Sequence, residues 1–320
     1  MIHPETRALR VIVLGTPDFA LPSLRVVADA TTLVAVVTQP DKPAGRGKKL
    51  TTPPVAEAAR RLGVPVVQPR TLKDQTVVAA LAAYHPDLLV TVAYGRIIPP
   101  PVIALPRLGC INVHPSWLPL YRGASPIQRA VADGAATTGV TILYMTEDLD
   151  AGDIILQREV SIGAEETAGE LEERLAGEGA VLLSEAIELI ARGDAPRRPQ
   201  DHARATYVGR LTKEDGRIDW NRPAREIVNI VRAMHPWPSA YTIWRGTLLK
   251  VWRARAGQGS GVPGQVLAVR PDCITIAAGS GAVDLLEVQP EGGRRMTVGE
   301  FLRGHTVRDG ERLGAPAAVA

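Results

Sequence analysis

A chain of 320 residues, 45% of them hydrophobic and 22% charged, has room for a sizeable core and, on length, two domains. No apolar run reaches the roughly 18 residues of a membrane helix, and the opening MIHPETRALR lacks the basic-then-apolar layout of a secretory leader. Cys110 and Cys273 are too far apart in sequence for a disulfide framework or a zinc motif, so a cytoplasmic protein is expected.

RVIVLG (10–15) reads as a buried strand, followed by a helix through PDFALPSLRVVADA and a second strand at LVAVVT (33–38). A basic loop, TQPDKPAGRGKKLTTPP (38–54), then precedes a helix at 54–63, the strand VPVVQP, a helix at 73–85 and the strand PDLLVTVA (86–93). GCINVH (109–114), TGVTILYM (138–145) and DIILQREVSI (153–162) continue the series into a long helix, AGELEERLAGEGAVLLSEAIELIARG. Apolar strands alternating with amphipathic helices predict an α/β fold with a mostly parallel sheet covered on both faces. Residues 193–206, GDAPRRPQDHARAT, have no apolar periodicity and read as a linker between domains at 1–192 and 207–320. Beyond it come one helix (223–234) and five short strands, AYTIW, LLKVWRARA, GQVLAV, CITIAA and AVDLLEV, which predict a small closed or nearly closed β-barrel.

The net charge of +3 is unevenly spread: residues 207–320 hold 16 Lys/Arg against 11 Asp/Glu, and residues 1–206 hold 21 against 23. That surplus hints at a polyanionic partner, although an ordinary solvated face carries as much. The basic loop sets Lys42, Arg46, Lys48 and Lys49 against Asp41 alone. It is no phosphate loop, because aligning Gly47-Lys48 to that motif puts Lys42 where its first glycine belongs and Lys49 where the magnesium-binding hydroxyl belongs. Nor does LGTPDFALPSL carry a dinucleotide fingerprint, since only Gly15 of the three glycines is present.

The densest signal is GCINVHPSWLPLYRGASPIQ (109–128). On a strand, Cys110, Asn112 and His114 share a face, with Asn112 and His114 about 6.6 Å apart at Cα. Pro115 ends that strand, which sets the pair at the C-terminal sheet edge where α/β proteins bind ligands. A buried asparagine with a capping histidine would show the same spacing. Cys110 lies about 13 Å from His114 along the strand, out of reach for an activated thiol, and reads as core. In EDLDAGD (147–153) the acidic residues are out of register with a calcium loop. A turn there can instead aim a carboxylate at the edge where His114 lies.

Asn-x-His, Ser-x-Leu-Pro, Arg-Gly-Ala-x-Pro-Ile-Gln and Gly-Val-Thr-Ile…Asp-x-Gly-Asp-Ile together resemble the formyltetrahydrofolate-dependent formyltransferases. TQPDKPAGRGKKL, VAYGRIIP, KEDGRIDW, Pro-Trp-Pro at 236–238 and LLEVQPEGGRRMTVGEFLRG are similar to the branch that formylates an initiator methionyl-tRNA. The resemblance implies a Rossmann-like catalytic domain and an OB-like, tRNA-binding barrel. It also implies 10-formyltetrahydrofolate as formyl donor, no metal, and Asn112, His114 and Asp150 as the catalytic set. Ser116, Trp117, Leu118 and Pro119 would line the folate site, the loop at Tyr94–Ile97 would cover the pterin, and Lys42, Arg46, Lys48 and Lys49 would meet tRNA. Pro115 and Trp117 depart from the residues usual at those places.

Relatives with the same triad formylate a sugar nucleotide or glycinamide ribonucleotide, or hydrolyse the formyl-folate. The basic loop favours the tRNA acceptor, since a small acceptor gives no reason for it. A catalytically idle RNA-binding protein on the same scaffold is the reading from another class, against which the intact triad speaks. Nothing in the sequence demands more than a monomer.

Overall fold

The computed structural model describes residues 4–44 and 49–314. A short helix α1 (Pro4–Ala8) leads into β1 (Arg10–Gly15), α2 (Leu21–Ala30) and β2 (Thr32–Val37). The basic loop contributes a small hairpin, β3 (Lys42–Ala44) with β4 (Lys49–Thr51). Then follow α3 (Pro54–Arg61), β5 (Val66–Val67), α4 (Gln75–Ala82), β6 (Leu88–Val92), α5 (Pro100–Ile103) and β7 (Cys110–His114). After β8 (Arg122–Gly123) and α6 (Pro126–Ala132) come β9 (Thr137–Tyr144), β10 (Ile154–Ser161) and the 25-residue α7 (Ala168–Arg192). The chain forms two compact units: residues 1–126, 137–161 and 172–208 in one, and 127–136, 162–171 and 209–320 in the other. No helix among the described residues is long and apolar enough to cross a membrane.

In the first unit a seven-stranded sheet runs β10-β9-β7-β6-β1-β2-β5. The strands from β5 to β7 are parallel, and β9 and β10 add antiparallel. Val11, Ile12, Val13 and Leu14 of β1 are all inaccessible to solvent, as a strand covered on both faces requires. The chain winds outward from β1 through β2 to β5, then returns to the opposite side of β1 for β6 and β7. The winding therefore reverses between β1 and β6, and β7, the neighbour of β6, ends at the same C-terminal sheet edge, where such sheets bind ligands. Register sets Thr91 of β6 beside Asn112 of β7, and His114 opposite Thr141 of β9.

Residues 194–208 run along this first unit. Ile154 and Arg198 exchange backbone hydrogen bonds at 2.8 and 3.1 Å, and β11 (Tyr207–Val208) pairs in parallel with β8.

The second unit packs α8 (Ala224–Ala233) against β13 (Thr247–Gly257). β13 joins β12 (Ala240–Trp244), β14 (Val266–Val269), β15 (Ile274–Ala277) and β16 (Ala282–Pro290) in the antiparallel order β12-β13-β16-β15-β14, with β17 (Met296–Thr297) added to β16 and α9 (Val298–Gly304) following. That ladder is open between β12 and β14, and residues 310–314 span the gap. Gly310 and Glu311 exchange backbone bonds with Val266, Leu313 N–H donates to Gly264, and Gly314 N–H donates to Ile243 of β12. The near-closed cylinder expected from five short strands thus takes a further segment to bridge its edges.

Candidate active site

Asn112 and His114 leave β7 on the face opposite Val113. That face is fixed from behind: a Cβ at Gly179 of α7 would stand 2.9 Å from Val113 Cγ1, so only a glycine lets the helix lie this close. Pro115 then ends the strand, and the chain turns through 116–121.

The structure brings the three expected side chains together. Asn112 Nδ2 lies 3.4 Å from Asp150 Oδ1, and His114 Nδ1 lies 3.7 Å from Asp150 Oδ2. His114 is only 3% exposed. Each member is oriented by a separate contact. Thr91 Oγ1 donates to Asn112 Oδ1 at 2.7 Å, which commits the carbonyl end of the amide and leaves the Nδ2 protons toward Asp150. His114 Nε2 is 3.0 Å from Tyr121 O. A carbonyl only accepts, so Nε2 carries a proton and Nδ1 is the nitrogen facing the carboxylate. Asp150 Oδ2 accepts from Gly123 N–H at 2.8 Å.

The backbone is bent to make this meeting. Tyr121 and Asp150 have φ of 60° and 50°, in the left-handed region uncommon for residues other than glycine. Such conformations persist where surrounding contacts enforce them. At Asp150 the enforcing contact is Gln200, whose Nε2 donates to Asp150 O at 2.9 Å and to Gly152 O at 2.7 Å. A Cβ at Gly152 would lie 1.9 Å from Tyr144 O, so the turn cannot accept a side chain there.

Cys110 shares the face but not the site. It is buried in the cluster of Ile12, Leu14 and Leu89, its Sγ 3.6 Å from Met145 Sδ, and burial pushes its thiol up to about 12. It is a core residue, in keeping with the distance argument.

The four residues expected at the folate divide sharply. Ser116 is buried, and its hydroxyl is spent on Leu120 O at 2.6 Å. Leu118 is buried beside Leu143 and Ile154, and its backbone accepts from Gln157 Nε2 at 2.9 Å. Pro119, half-buried, follows Leu118 through a cis peptide. Only Trp117, 40% exposed, presents a large surface to solvent. In the neighbouring loop Tyr94 is buried, and its carbonyl accepts from Thr16 Oγ1 and Gln39 Nε2, whereas Ile97 is 84% exposed.

Of the basic loop, Lys42 is exposed, with its Nζ donating to Gln39 Oε1 at 2.6 Å, and Lys49 stands opposite Ala44 in the hairpin ladder. Arg46 and Lys48 lie outside the described residues. The base of the hairpin is tied down through Asp41, which accepts from Gln68 Nε2 at 2.8 Å and from Thr52 Oγ1 at 3.1 Å. The Gln68 hydrogen bond chiefly holds that carboxyl below its ordinary range.

Sequence reasoning missed Thr91, Tyr121, Gly123 and Gln200. Thr91 is the one polar residue of an apolar strand, a signal that register with Asn112 would have exposed. Gly123 stands inside the quoted Arg-Gly-Ala run. Gln200 sits in a stretch read as linker, where no periodicity marks it.

Residues 9–187 match the model described as formyl transferase, and residues 210–306 match the formyl transferase C-terminal domain. A methionyl-tRNA formyltransferase of Pelotomaculum thermopropionicum is 47% identical over 310 residues, covering 96% of this chain and 99% of the relative. Among solved structures, the N-formyltransferase of Helicobacter canadensis, in complex with folinic acid and dTDP-3-aminofucose, aligns with 87% of this chain and 99% of its own at a TM-score of 0.64 and 17% identity. HypX of Aquifex aeolicus in complex with tetrahydrofolic acid aligns with 94% of this chain and 50% of its own, at a TM-score of 0.61 and 20% identity. At those identities the two structures speak for the fold alone.

Proposed function

The chain belongs to the formyl transferase family, and from that premise we propose that it transfers the formyl group of 10-formyltetrahydrofolate to the amino group of an initiator methionyl-tRNA. The observation that carries the chemistry is the convergence of Asn112, His114 and Asp150 at the end of β7, with the amide of Asn112 turned to donate. Near-full-length likeness to a methionyl-tRNA formyltransferase supports the acceptor.

The formyl-folate is a substrate and supplies an activated formyl carbon on N10. As the amine attacks that carbon, negative charge develops on the formyl oxygen, and Asn112 Nδ2 donates to it. A donor of this kind is worth about 3–4 kcal/mol to a transition state. His114 holds its Nε2 proton against Tyr121 O, so Nδ1 takes the proton of the attacking amine and delivers it to N10 as the carbon–N10 bond breaks. One proton leaves the amine and one reaches the folate, so the residue ends as it began. Asp150 faces Nδ1 and steadies the ring in that orientation while the charge passes through it. Trp117 and Ile97 offer exposed apolar surface suited to flat pterin and aryl rings.

For the acceptor, the basic loop and the basic surplus of residues 207–320 supply phosphate contacts. Arg46, between two glycines, is the side chain whose planar fork suits a phosphate or a base edge. The test is single-turnover transfer from 10-formyltetrahydrofolate to methionyl-tRNA by His114→Ala and Asp150→Ala. Each variant should lose at least about 10²-fold in rate while still binding the folate. Near-normal transfer in either removes these residues from the chemistry.

A further inference from the structure

Arg122 is 1% exposed, yet among the described residues its guanidinium hydrogen-bonds to no carboxylate. Nε and Nη2 both donate to Gln200 Oε1, at 3.2 and 2.7 Å, Nη1 donates to Tyr207 Oη at 3.0 Å, and Nη2 also lies 3.1 Å from His202 Nδ1. A buried guanidinium is costly to keep, and here its fork closes on one neutral amide. That amide is in turn fully spent. Its oxygen takes both Arg122 donors, and its nitrogen donates to the carbonyl of the left-handed Asp150, which presents the carboxylate, and to that of Gly152 just after it.

The neighbours of Arg122 complete the pattern. Tyr121 O fixes His114 Nε2, and Gly123 N–H fixes Asp150 Oδ2. Three consecutive residues thus reach the site by three routes: a carbonyl to the histidine, a side chain through Gln200 to the turn, and an amide to the carboxylate.

We propose that Arg122 and Gln200 are positioning residues for the transfer reaction: the guanidinium fixes the Gln200 amide, and the amide holds the Asp150 turn in the geometry that meets His114. The pair touches no reacting atom, and its effect on rate rests on the reaction assigned above.

Gln200→Glu isolates the claim. A carboxylate at 200 still accepts from Arg122, so the buried charge keeps a partner, but it has no N–H for the carbonyls of Asp150 and Gly152. The expected result is a fall in kcat of about 10²-fold, since a misplacement near 1 Å costs that much. KM for the folate and for charged tRNA should stay within about twofold of wild type, the mark of an interaction that matters only in the transition state. Arg122→Lys, which keeps the charge and loses the fork, should show the same split with about a 10-fold loss. Amide hydrogen exchange of residues 147–153 and Gly123 should quicken in both variants, and that readout stands apart from activity. Should wild type fail to formylate methionyl-tRNA, the assigned reaction falls and the exchange readout alone decides the clamp. Wild-type kcat in a folded variant, unchanged protection of the turn, or a loss of fold in both variants would each overturn the proposal.

Discussion

Asn112 has an acceptor end and a donor end, and Thr91 decides which faces the reaction. Removing that hydroxyl lets the amide rotate and present its oxygen to a developing oxyanion. Thr91→Val is therefore expected to lower kcat about 10-fold with KM unmoved, and Thr91→Ser to restore it, both read in steady-state transfer assays. Cys110, one double step down the same strand face, should be inert: its buried thiol, pushed up to about 12, gives no thiolate at neutral pH. Native protein should keep its activity through iodoacetamide treatment, and Cys110→Ser should transfer formyl groups normally. Strand alternation makes it legible that Asn112 and His114 share a face and Pro115 that they stand at an edge, whereas the proposed catalytic set, Asp150 included, is what the family resemblance implies. What holds that set is not legible. Tyr121 acts through a carbonyl and Gln200 acts from nearly fifty positions beyond the turn it holds, and neither leaves a periodic trace.

At the scale of elements, α7 is held against the back of β7 and β9 by an absent side chain. Gly179→Leu would drive a branched group into Val113 and Val140 and should destabilise the protein by about 1–3 kcal/mol, measured by urea unfolding. Transfer activity should fall with it, because β7 carries both Asn112 and His114. The strands of the first sheet are readable as apolar runs punctuated by glycine and proline, and the structure begins or ends them within two residues of the expected bounds. VPVVQP loses two residues at each end and keeps only Val66–Val67, which pair with β2 at the sheet edge. The closing segment of the barrel is less readable. Residues 310–314 have no apolar alternation, since their backbone rather than their side chains does the pairing. Truncation before Gly310 should lower the unfolding midpoint, at about 1 kcal/mol per lost backbone hydrogen bond, and leave two strand edges open to self-association.

Across the molecule, titratable groups set how stability answers to acid. Glu300 is held at about 2, first by Arg294 and then by the Thr297 N–H of its helix cap, against an ordinary 4.5. Its contribution is present above about pH 4.5 and lost as pH falls toward 2. His235 is held below its ordinary 6.5 by burial and then by Arg295, so its contribution is present above that value and lost as pH drops through it. Melting temperature should therefore decline on acidification from about pH 6.5, and His235→Gln should flatten the upper part of that decline. The charge asymmetry acts at the same scale: tRNA affinity should fall steeply as salt rises, and a KM that ignores salt would remove the electrostatic reading of the loop and barrel. The central claim, folate-dependent formylation of one particular aminoacyl-tRNA, is met most directly by presenting the protein with 10-formyltetrahydrofolate and with initiator or elongator methionyl-tRNA. Rapid transfer to the initiator and little to the elongator is the predicted result, with discrimination lost in Arg46→Ala. Equal transfer to both would contradict the assigned acceptor, and transfer to neither would contradict the reaction itself.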